Sequence, residues 1–343
     1  MRVLVTGGTG YVGAYTVKAL LDAGHTPRLL VRNRGRLATT IGTLGVDVAS
    51  LEIAEGDMTD SDAVTRAVKG MDAVIHCAAV VGALDKSNAE ATIDSNVTGT
   101  ENVIGAAIAE GCDPVIHTSS IAALYDPREP LLHSDLPPAT HATSPYTKSK
   151  AICEAYVRDL QAEGKPIVTV YPGGVGGPPA GEAYGDMAEG FISMLKNGFV
   201  PLSGGAITVI DVRDLATVMV AALTPGKGPR RYMVGGDMID MHDLGTMLRK
   251  STGRRMPVLP LPGILFRTLG RVVDLARRIV PFESIFTAEA MDLLTLARPT
   301  DDSAVHDELG VTYRPTAETI DEVIRGLVRN GHVTASQAGK AAS

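Results

Sequence analysis

Short runs of apolar, β-branched residues alternate with segments whose apolar positions recur every three to four residues. The first pair is Val3, Leu4 and Val5, followed by Val12, Tyr15, Val17, Ala19 and Leu20. A fully apolar run suits a strand buried on both faces, and the longer period suits an amphipathic helix. Further strands are predicted at 27–32, 51–56, 72–77, 114–120 and 167–171, with long helices near 87–110 and 145–163. This alternation predicts an α/β fold with a doubly wound parallel sheet. After Pro172 the pattern changes to a glycine- and proline-rich connection from Gly173 to Gly181. A helix at 186–196, a strand near 206–210, a helix at 211–223 and a strand at 230–234 follow, and the chain is then mostly helical from 240 to 330. The expected organisation is one domain from 1–172 with 206–236, the strands of 206–234 returning to the main sheet. A smaller, mostly helical lobe takes 173–205 with 237–331, and 332–343 is a small, polar tail expected to fray.

One late segment has an unusual pattern. Between 263 and 281, Leu265, Leu269, Val272, Val273, Ala276, Ile279 and Val280 recur at helical spacing, with Arg267, Arg271, Arg277 and Arg278 among or opposite them. Such a basic amphipathic helix either lies on a membrane surface or packs in a domain with its polar face in water. No apolar run approaches the roughly twenty residues of a membrane span.

Composition narrows the class. A net charge of −7 over 343 residues argues against non-specific nucleic-acid binding. Three cysteines, Cys77, Cys112 and Cys153, form no CxxC pair. Neither a disulfide framework nor a metal site is expected. No basic, apolar leader pattern opens the chain, so the expected setting is cytoplasmic.

The candidate chemistry begins where the first strand ends. Gly7, Gly8, Thr9, Gly10, Tyr11, Val12 and Gly13 form a glycine turn between strand and helix. That context is what a dinucleotide fingerprint requires: glycines let the backbone approach a pyrophosphate, which rests on the positive helix N-terminus. Ala78 and Ala79, small residues after the fourth strand, mark another place of close approach. The end of the second strand selects the cofactor. An acidic residue there would accept from the ribose 2′-OH of NAD(H). Arg32 stands nineteen residues after Gly13, with Arg34 and Arg36 close behind. A guanidinium suits a 2′-phosphate, so NADP(H) is expected rather than NAD(H); a solvated basic loop is the alternative.

Tyr146 and Lys150, four apart on a predicted helix, share one face. A free phenol, with a pKa of about 10, is roughly three units too weak an acid to ionise at neutral pH. An ammonium and an oxidised nicotinamide nearby would stabilise the phenolate. Ser119 and Ser120 end the fifth strand, at the sheet edge where ligands bind. A serine hydroxyl there either hydrogen-bonds a substrate oxygen or caps the following turn.

In combination these stretches resemble the extended short-chain dehydrogenase/reductases of the NAD(P)-dependent epimerase/dehydratase superfamily. The matching motifs are TGGTGYVG (6–13), GDMTD (56–60), HCAA (76–79), NVTGT (96–100), HTSS (117–120), YTKSK (146–150), YPGGVGGP (171–178) and DVRDLA (211–216). The resemblance implies a Rossmann sheet in which Gly7, Gly10 and Gly13 hold the pyrophosphate and Asp57 with Met58 meets the adenine. It makes Tyr146 the acid/base, Lys150 the ribose-binding cation that tunes it, and Ser120, supported by Ser119, the catalytic hydroxyl. It places Pro172 and the backbone of Gly173 to Val175 beside the nicotinamide. It also implies a homodimer through the helices near 87–110 and 145–163. Two departures narrow the reaction. Ile121, Ala122 and Ala123 replace the Asp–Glu pair of sugar-nucleotide dehydratases. Tyr171 and Gly174 replace the Arg-x-x-Asn of sugar-nucleotide epimerases. The pattern is closer to dihydroflavonol-reductase-like and hydroxysteroid-dehydrogenase-like members, which act on ketones or secondary alcohols of apolar molecules. The expected function is reduction of a small, apolar ketone or aldehyde, or oxidation of the corresponding alcohol. A nucleotide-sugar epimerase and a non-catalytic cofactor-binding module are the alternatives. His133, Tyr184, Phe191 and Phe199 are candidates for the pocket wall or for packing.

Overall fold

The computed structural model describes residues 1–80, 89–201, 203–279 and 287–342. Positions 87–88 of the predicted fourth-strand-to-fifth-strand helix, and 280–281 of the basic segment, lie outside these residues.

Among the described residues ten strands are formed: β1 (Arg2–Thr6), β2 (Thr26–Val31), β3 (Glu52–Glu55), β4 (Ala73–His76), β5 (Val115–Thr118), β6 (Ile167–Pro172), β7 (Gly174–Gly176), β8 (Ala206–Asp211), β9 (Arg230–Val234) and β10 (Asp237–Asp240). The helices are α1 (Tyr11–Asp22), α2 (Arg36–Thr39), α3 (Ser61–Val68), α4 (Ala89–Glu110), α5 (Pro145–Ala162), α6 (Asp186–Asn197), α7 (Val212–Ala221), α8 (Met241–Thr252), α9 (Gly263–Ile279), α10 (Ala288–Thr295), α11 (Ser303–Leu309), α12 (Thr316–Arg329) and α13 (Ala335–Ala338).

Seven strands build one sheet in the order β3-β2-β1-β4-β5-β6-β9, every neighbouring pair parallel. Alternation within β1 explains the two covering layers. Val3 and Val5 pack in the same core as Ala14, Val17 and Leu20 of α1 and Leu215 and Val218 of α7. Leu4 points the other way, into a core with Val64 of α3, Val103 and Ile104 of α4 and Val157 of α5. Strand order reverses between β1 and β4, so a crevice opens at their carboxyl ends. The expected doubly wound parallel sheet is the observed one.

Two expectations of the sequence are corrected. β9 joins the main sheet, but β8 does not: it pairs in parallel with β7 and antiparallel with β10 in a separate three-stranded sheet. A hairpin-like return at Gly235 and Gly236 makes this possible. Gly236 has φ +73°, and a Cβ there would lie 2.1 Å from the Val209 carbonyl oxygen. The tail after His332 is not frayed. Thr334 and Gln337 form a capping box for α13, and Ala338 and Ala341 are buried. They share a core with Leu195 of α6, Leu248 of α8 and Ile324 and Leu327 of α12. Small residues there are what close packing against α8 demands, a requirement that composition alone reads as disorder. Phe191, a candidate for the pocket wall, is likewise packed inside this core.

Candidate active site

The glycine turn follows directly from strand geometry. β1 ends at the switch point, and the chain must reverse within four residues to begin α1. Gly7 takes φ +74°, and a Cβ on it would lie 2.7 Å from the Ala78 nitrogen. A Cβ on Gly13 would lie 2.2 Å from the Gly7 carbonyl oxygen. The Gly10 N–H donates to that same oxygen at 2.8 Å. Gly10 caps α1 without a side-chain hydrogen bond, and the first turn carries no acid. The Ala14 N–H makes the first intrahelical bond, to the Gly10 carbonyl. The amides of Tyr11, Val12 and Gly13 therefore precede it, as donors available to an anion. This turn, where a side chain at Gly7 or Gly13 would strike neighbouring backbone, leaves those three amides for an anion and fits a dinucleotide pyrophosphate. Thr9 is partly exposed beside it, and Gly8 is pressed against Leu29.

The other predicted cofactor residues surround the crevice. The Ala78 N–H donates to Thr6 Oγ1 at 3.2 Å, and Ala79 follows at the mouth. Arg32, just past β2, lies with its Nη1 3.7 Å from Asp57 Oδ2, and its side chain is 72% exposed. Burial pushes the Asp57 carboxyl up, but hydrogen bonds from the Thr59 amide and hydroxyl, with the Arg32 charge, hold it below the usual range. A solvent-exposed pair of this kind is worth at most about 1 kcal/mol, so Arg32 can leave it for a phosphate. The Met58 side chain packs over Gly99, and its carbonyl accepts from Asn102 Nδ2 at 3.0 Å. Pro172 ends β6, Gly173 donates to the Val234 carbonyl, and Val175 sits in β7.

The chemical group is assembled on α5. Ser144 caps that helix by accepting from the Thr147 N–H, with Pro145 at its first position. Tyr146 and Lys150 share a face, the Lys150 Nζ lying 5.9 Å from the Tyr146 ring centroid. Lys150 is buried and donates to the Thr118 carbonyl at 2.8 Å. The two serines turn in opposite directions. Ser120 accepts from the Ala122 N–H, capping the turn 121–123, and its hydrogen bond to the Tyr146 phenol favours ionisation of that phenol. Ser119 donates to Glu154 Oε2 at 3.2 Å. The phenol itself departs from the expected direction. Burial pushes its pKa up to about 12; the Ser120 hydrogen bond opposes this, and the Asp186 carboxylate reinforces it. The Lys150 ammonium donates to a backbone carbonyl below the ring, and burial of the phenol sets the direction of its shift.

Several groups at this site escaped the sequence reading. Glu154 is completely buried and accepts from Ser119, from Tyr171 OH at 2.6 Å and from Arg158 Nε at 2.6 Å. Asn96 Oδ1 accepts from the Val80 N–H at 2.7 Å, while its Nδ2 donates to Ser149 Oγ at 2.9 Å, tying the end of β4 to α5. Its motif, NVTGT, was the one available signal. Glu289 at the start of α10 accepts from the amides and hydroxyls of both Thr143 and Ser144, at 2.6 to 2.8 Å. It thereby fastens α10 to the cap of the Tyr146 helix.

Beneath Lys150 lie two buried histidines, His76 and His117, their rings stacked 5.8 Å apart. His76 hydrogen-bonds Thr6 Oγ1 at 2.7 Å and Thr100 Oγ1 at 3.3 Å. Neither nitrogen of His117 has a partner. Burial, then the Lys150 charge, lowers the His76 pKa to about 3 and holds that of His117 well below its usual value. Both are neutral. A depressed folded-state pKa contributes stability present above the unfolded value of about 6.5 and lost as pH falls toward the folded value. The urea midpoint should therefore fall steeply below about pH 6.5. His117→Phe should weaken that dependence and raise stability at neutral pH by about 1–3 kcal/mol, because two unpaired polar atoms leave the core. An unchanged acid limb in this variant would remove His117 from the account.

Comparison with known proteins agrees with this geometry. The family model described as "NAD dependent epimerase/dehydratase family" matches residues 3–235. Sterol demethylase protein B of Methylococcus capsulatus is 29% identical, covering 97% of this chain and 100% of that protein. A putative dihydroflavonol 4-reductase of Synechocystis sp. is 26% identical, covering 96% of this chain and 95% of that protein. Among solved structures, that of gox2253 superimposes with a TM-score of 0.80 at 26% identity, covering 97% of this chain and 99% of the other. With the family model spanning well over half of the chain, and the glycine cradle and parallel sheet in place, the protein belongs to the NAD dependent epimerase/dehydratase family and is an NAD(P)-dependent oxidoreductase.

Proposed function

We propose that this protein is an NADPH-dependent carbonyl reductase for a small, apolar ketone or aldehyde, working in reverse on the secondary alcohol. One observation carries the reading: Tyr146 and Lys150 share one face of α5, the Lys150 Nζ 5.9 Å from the Tyr146 ring, in register with Ser120 just past the end of β5. When bound, the reduced nicotinamide supplies a hydride to the carbonyl carbon. Ser120 donates a hydrogen bond to the carbonyl oxygen and polarises it. Tyr146 gives its proton to the oxygen as the alkoxide forms, which completes the alcohol. Lys150, oriented by the Thr118 carbonyl, holds the ribose hydroxyls and screens the phenolate left behind. Gly7, Gly10 and Gly13 hold the pyrophosphate, Asp57 and Met58 the adenine, and the backbone of Gly173 to Val175 the carboxamide. The connection after β7 is fastened to α1 and α2, since Tyr15 OH donates to the Pro178 carbonyl at 2.9 Å and Glu182 N–H to the Thr39 carbonyl at 3.2 Å, and it would close over the bound substrate. Tyr184, on that connection, packs against His332 rather than lining the site. Excluding water there strengthens each polar contact at the reacting carbonyl. The apolar substrate class is supported by the absence of the dehydratase and epimerase residues. The name of the sterol demethylase protein B relative points the same way.

Arg32 is proposed to hold the 2′-phosphate of NADP(H). Losing one charge-assisted contact of about 1.5–3 kcal/mol should raise the NADPH KM of Arg32→Ala roughly ten- to hundredfold, with the NADH KM little changed. An unchanged NADPH KM would show that Arg32 is only a solvated surface charge. The test of the reaction is NADPH oxidation against a panel of aliphatic ketones, steroid ketones and sugar nucleotides. Turnover of apolar ketones with freely exchanging cofactor supports the proposal. Tightly retained NAD, released only on denaturation, with turnover of sugar nucleotides alone would replace it with an epimerase.

A further inference from the structure

The helix α9 is inverted relative to a helix of a water-soluble surface. Two of its charged residues face the protein: Arg267 donates to Thr295 Oγ1 at 3.0 Å, and Asp274 accepts from the Ala288 N–H at 3.0 Å, capping α10. Gly270 lets the two helices approach, since a Cβ there would lie 2.9 Å from the Ala288 nitrogen. The apolar side is left outward. Ile264, Leu265, Leu269, Val272 and Leu275 are each between 45% and 59% exposed. At 100° per residue they fall within one sector of the helix, and Leu261 extends it at the N-terminal end. Isolated exposed leucines need no explanation, but five on one helix face form a contiguous patch.

We infer that this face of α9 docks on an anionic lipid membrane, the helix lying in the plane of the surface with its leucines in the acyl boundary. Charge selects this occupant. Arg271 is exposed at the rim of the stripe, and no exposed acid accompanies it among the described residues of the helix, Asp274 being turned to α10. A chain of net charge −7 thus presents its apolar face with a positive rim, which suits acidic headgroups. A second copy is the poorer fit. The five side chains offer roughly 500 Å², below the about 800 Å² per partner of a stable interface, and a symmetric contact would supply no acid for Arg271. No helix among the described residues is long and apolar enough to cross a membrane, so the contact is peripheral. Docking would also bring the active site to the lipid. α10 lies between α9 and the cap of α5, through Glu289 and Ser144. Delivery of substrate from the bilayer rests on the apolar-substrate reading above; docking itself does not.

The test is flotation of the full chain with vesicles of phosphatidylcholine, alone or with about 30% phosphatidylglycerol. The wild-type protein should float with the anionic vesicles and far less with the neutral ones. Leu269→Glu with Val272→Glu should lower the bound fraction at least about tenfold, and Arg271→Glu should abolish the preference for phosphatidylglycerol. NADPH turnover on a water-soluble ketone should be unchanged in all three proteins. Absence of that turnover in the wild type would defeat the reductase proposal alone, leaving the flotation result to stand with thermal unfolding as the folding control. Failure of the wild type to float, or equal flotation of the double variant, would overturn the docking. Self-association in sedimentation, removed by the double variant and without flotation, would overturn it in favour of a second copy.

Discussion

Replacement of Tyr146 by phenylalanine is expected to lower kcat for ketone reduction by about 10²–10⁴-fold, the usual worth of a positioned general acid. The cofactor KM should change little, because Lys150, the glycine turn and Arg32 are untouched. The ring still fills the space over Lys150, so the thermal midpoint should stay near that of the wild type. The phenol also sets a pH signature. With its pKa pushed up to about 12, Tyr146 is protonated throughout the neutral range. Reduction needs the protonated form, so its rate should be level through neutral pH and decline only on the alkaline side. Oxidation of the alcohol needs the phenolate and should accelerate as pH rises. Bound oxidised cofactor, carrying positive charge, would move that rise to lower pH. A Tyr146→Phe variant with near-normal turnover on a verified ketone would refute the mechanism.

Glu154→Ala should have the largest effect on stability, a loss of about 3–5 kcal/mol. The carboxylate has no solvent exposure, and three donors converge on it, Ser119 just past β5, Tyr171 of β6 and Arg158 of α5. Truncation leaves the Tyr171 hydroxyl buried without its acceptor and the half-buried Arg158 with only the Ser134 carbonyl. That is a large share of a typical total stability of about 5–15 kcal/mol. Glu154→Gln keeps an acceptor without the charge and should cost clearly less. Denaturant unfolding of the three proteins measures the ordering. Because Ser119 is released as well, turnover should also fall, through displacement of the adjacent Ser120. A loss below about 1 kcal/mol for Glu154→Ala would show that the network is not structural.

The elements legible in the sequence share one physical property: their signals are local. The apolar run at Val3 to Val5 specifies a strand buried on both faces wherever it is placed in a parallel sheet. The glycines at 7, 10 and 13 are demanded by backbone sterics within seven residues, and the Tyr146–Lys150 spacing by helical pitch. These were enough for the α/β class, the cofactor crevice and the family. The contacts that complete the site are distant in the chain. Glu289 holds the cap residue of a helix that begins at Pro145, and Asn96 reaches Ser149; no periodicity encodes either meeting. β8 carries an ordinary strand pattern, which specifies that it pairs but not with which sheet. Its partner was decided by the Gly235–Gly236 turn bringing β10 alongside it.

Two features show most clearly what only packing decides. The direction of the Tyr146 pKa shift depends on whether burial outweighs a nearby cation. The amino-acid spacing places the ammonium near the ring, whereas the fold spends it on the Thr118 carbonyl and buries the phenol. The stripe on α9 was visible from residue spacing, but spacing cannot say which side of a helix meets water. Arg267 and Asp274 settled that by bonding to α10, which left the leucines outside. The sequence by itself therefore determined the sheet, the glycine turn and the pairing of tyrosine with lysine, since each is set by neighbours within a turn or a strand. The upward direction of the Tyr146 pKa shift, the buried carboxylate of Glu154 and the outward face of α9 were decided by tertiary structure, because each depends on groups that only folding brings together.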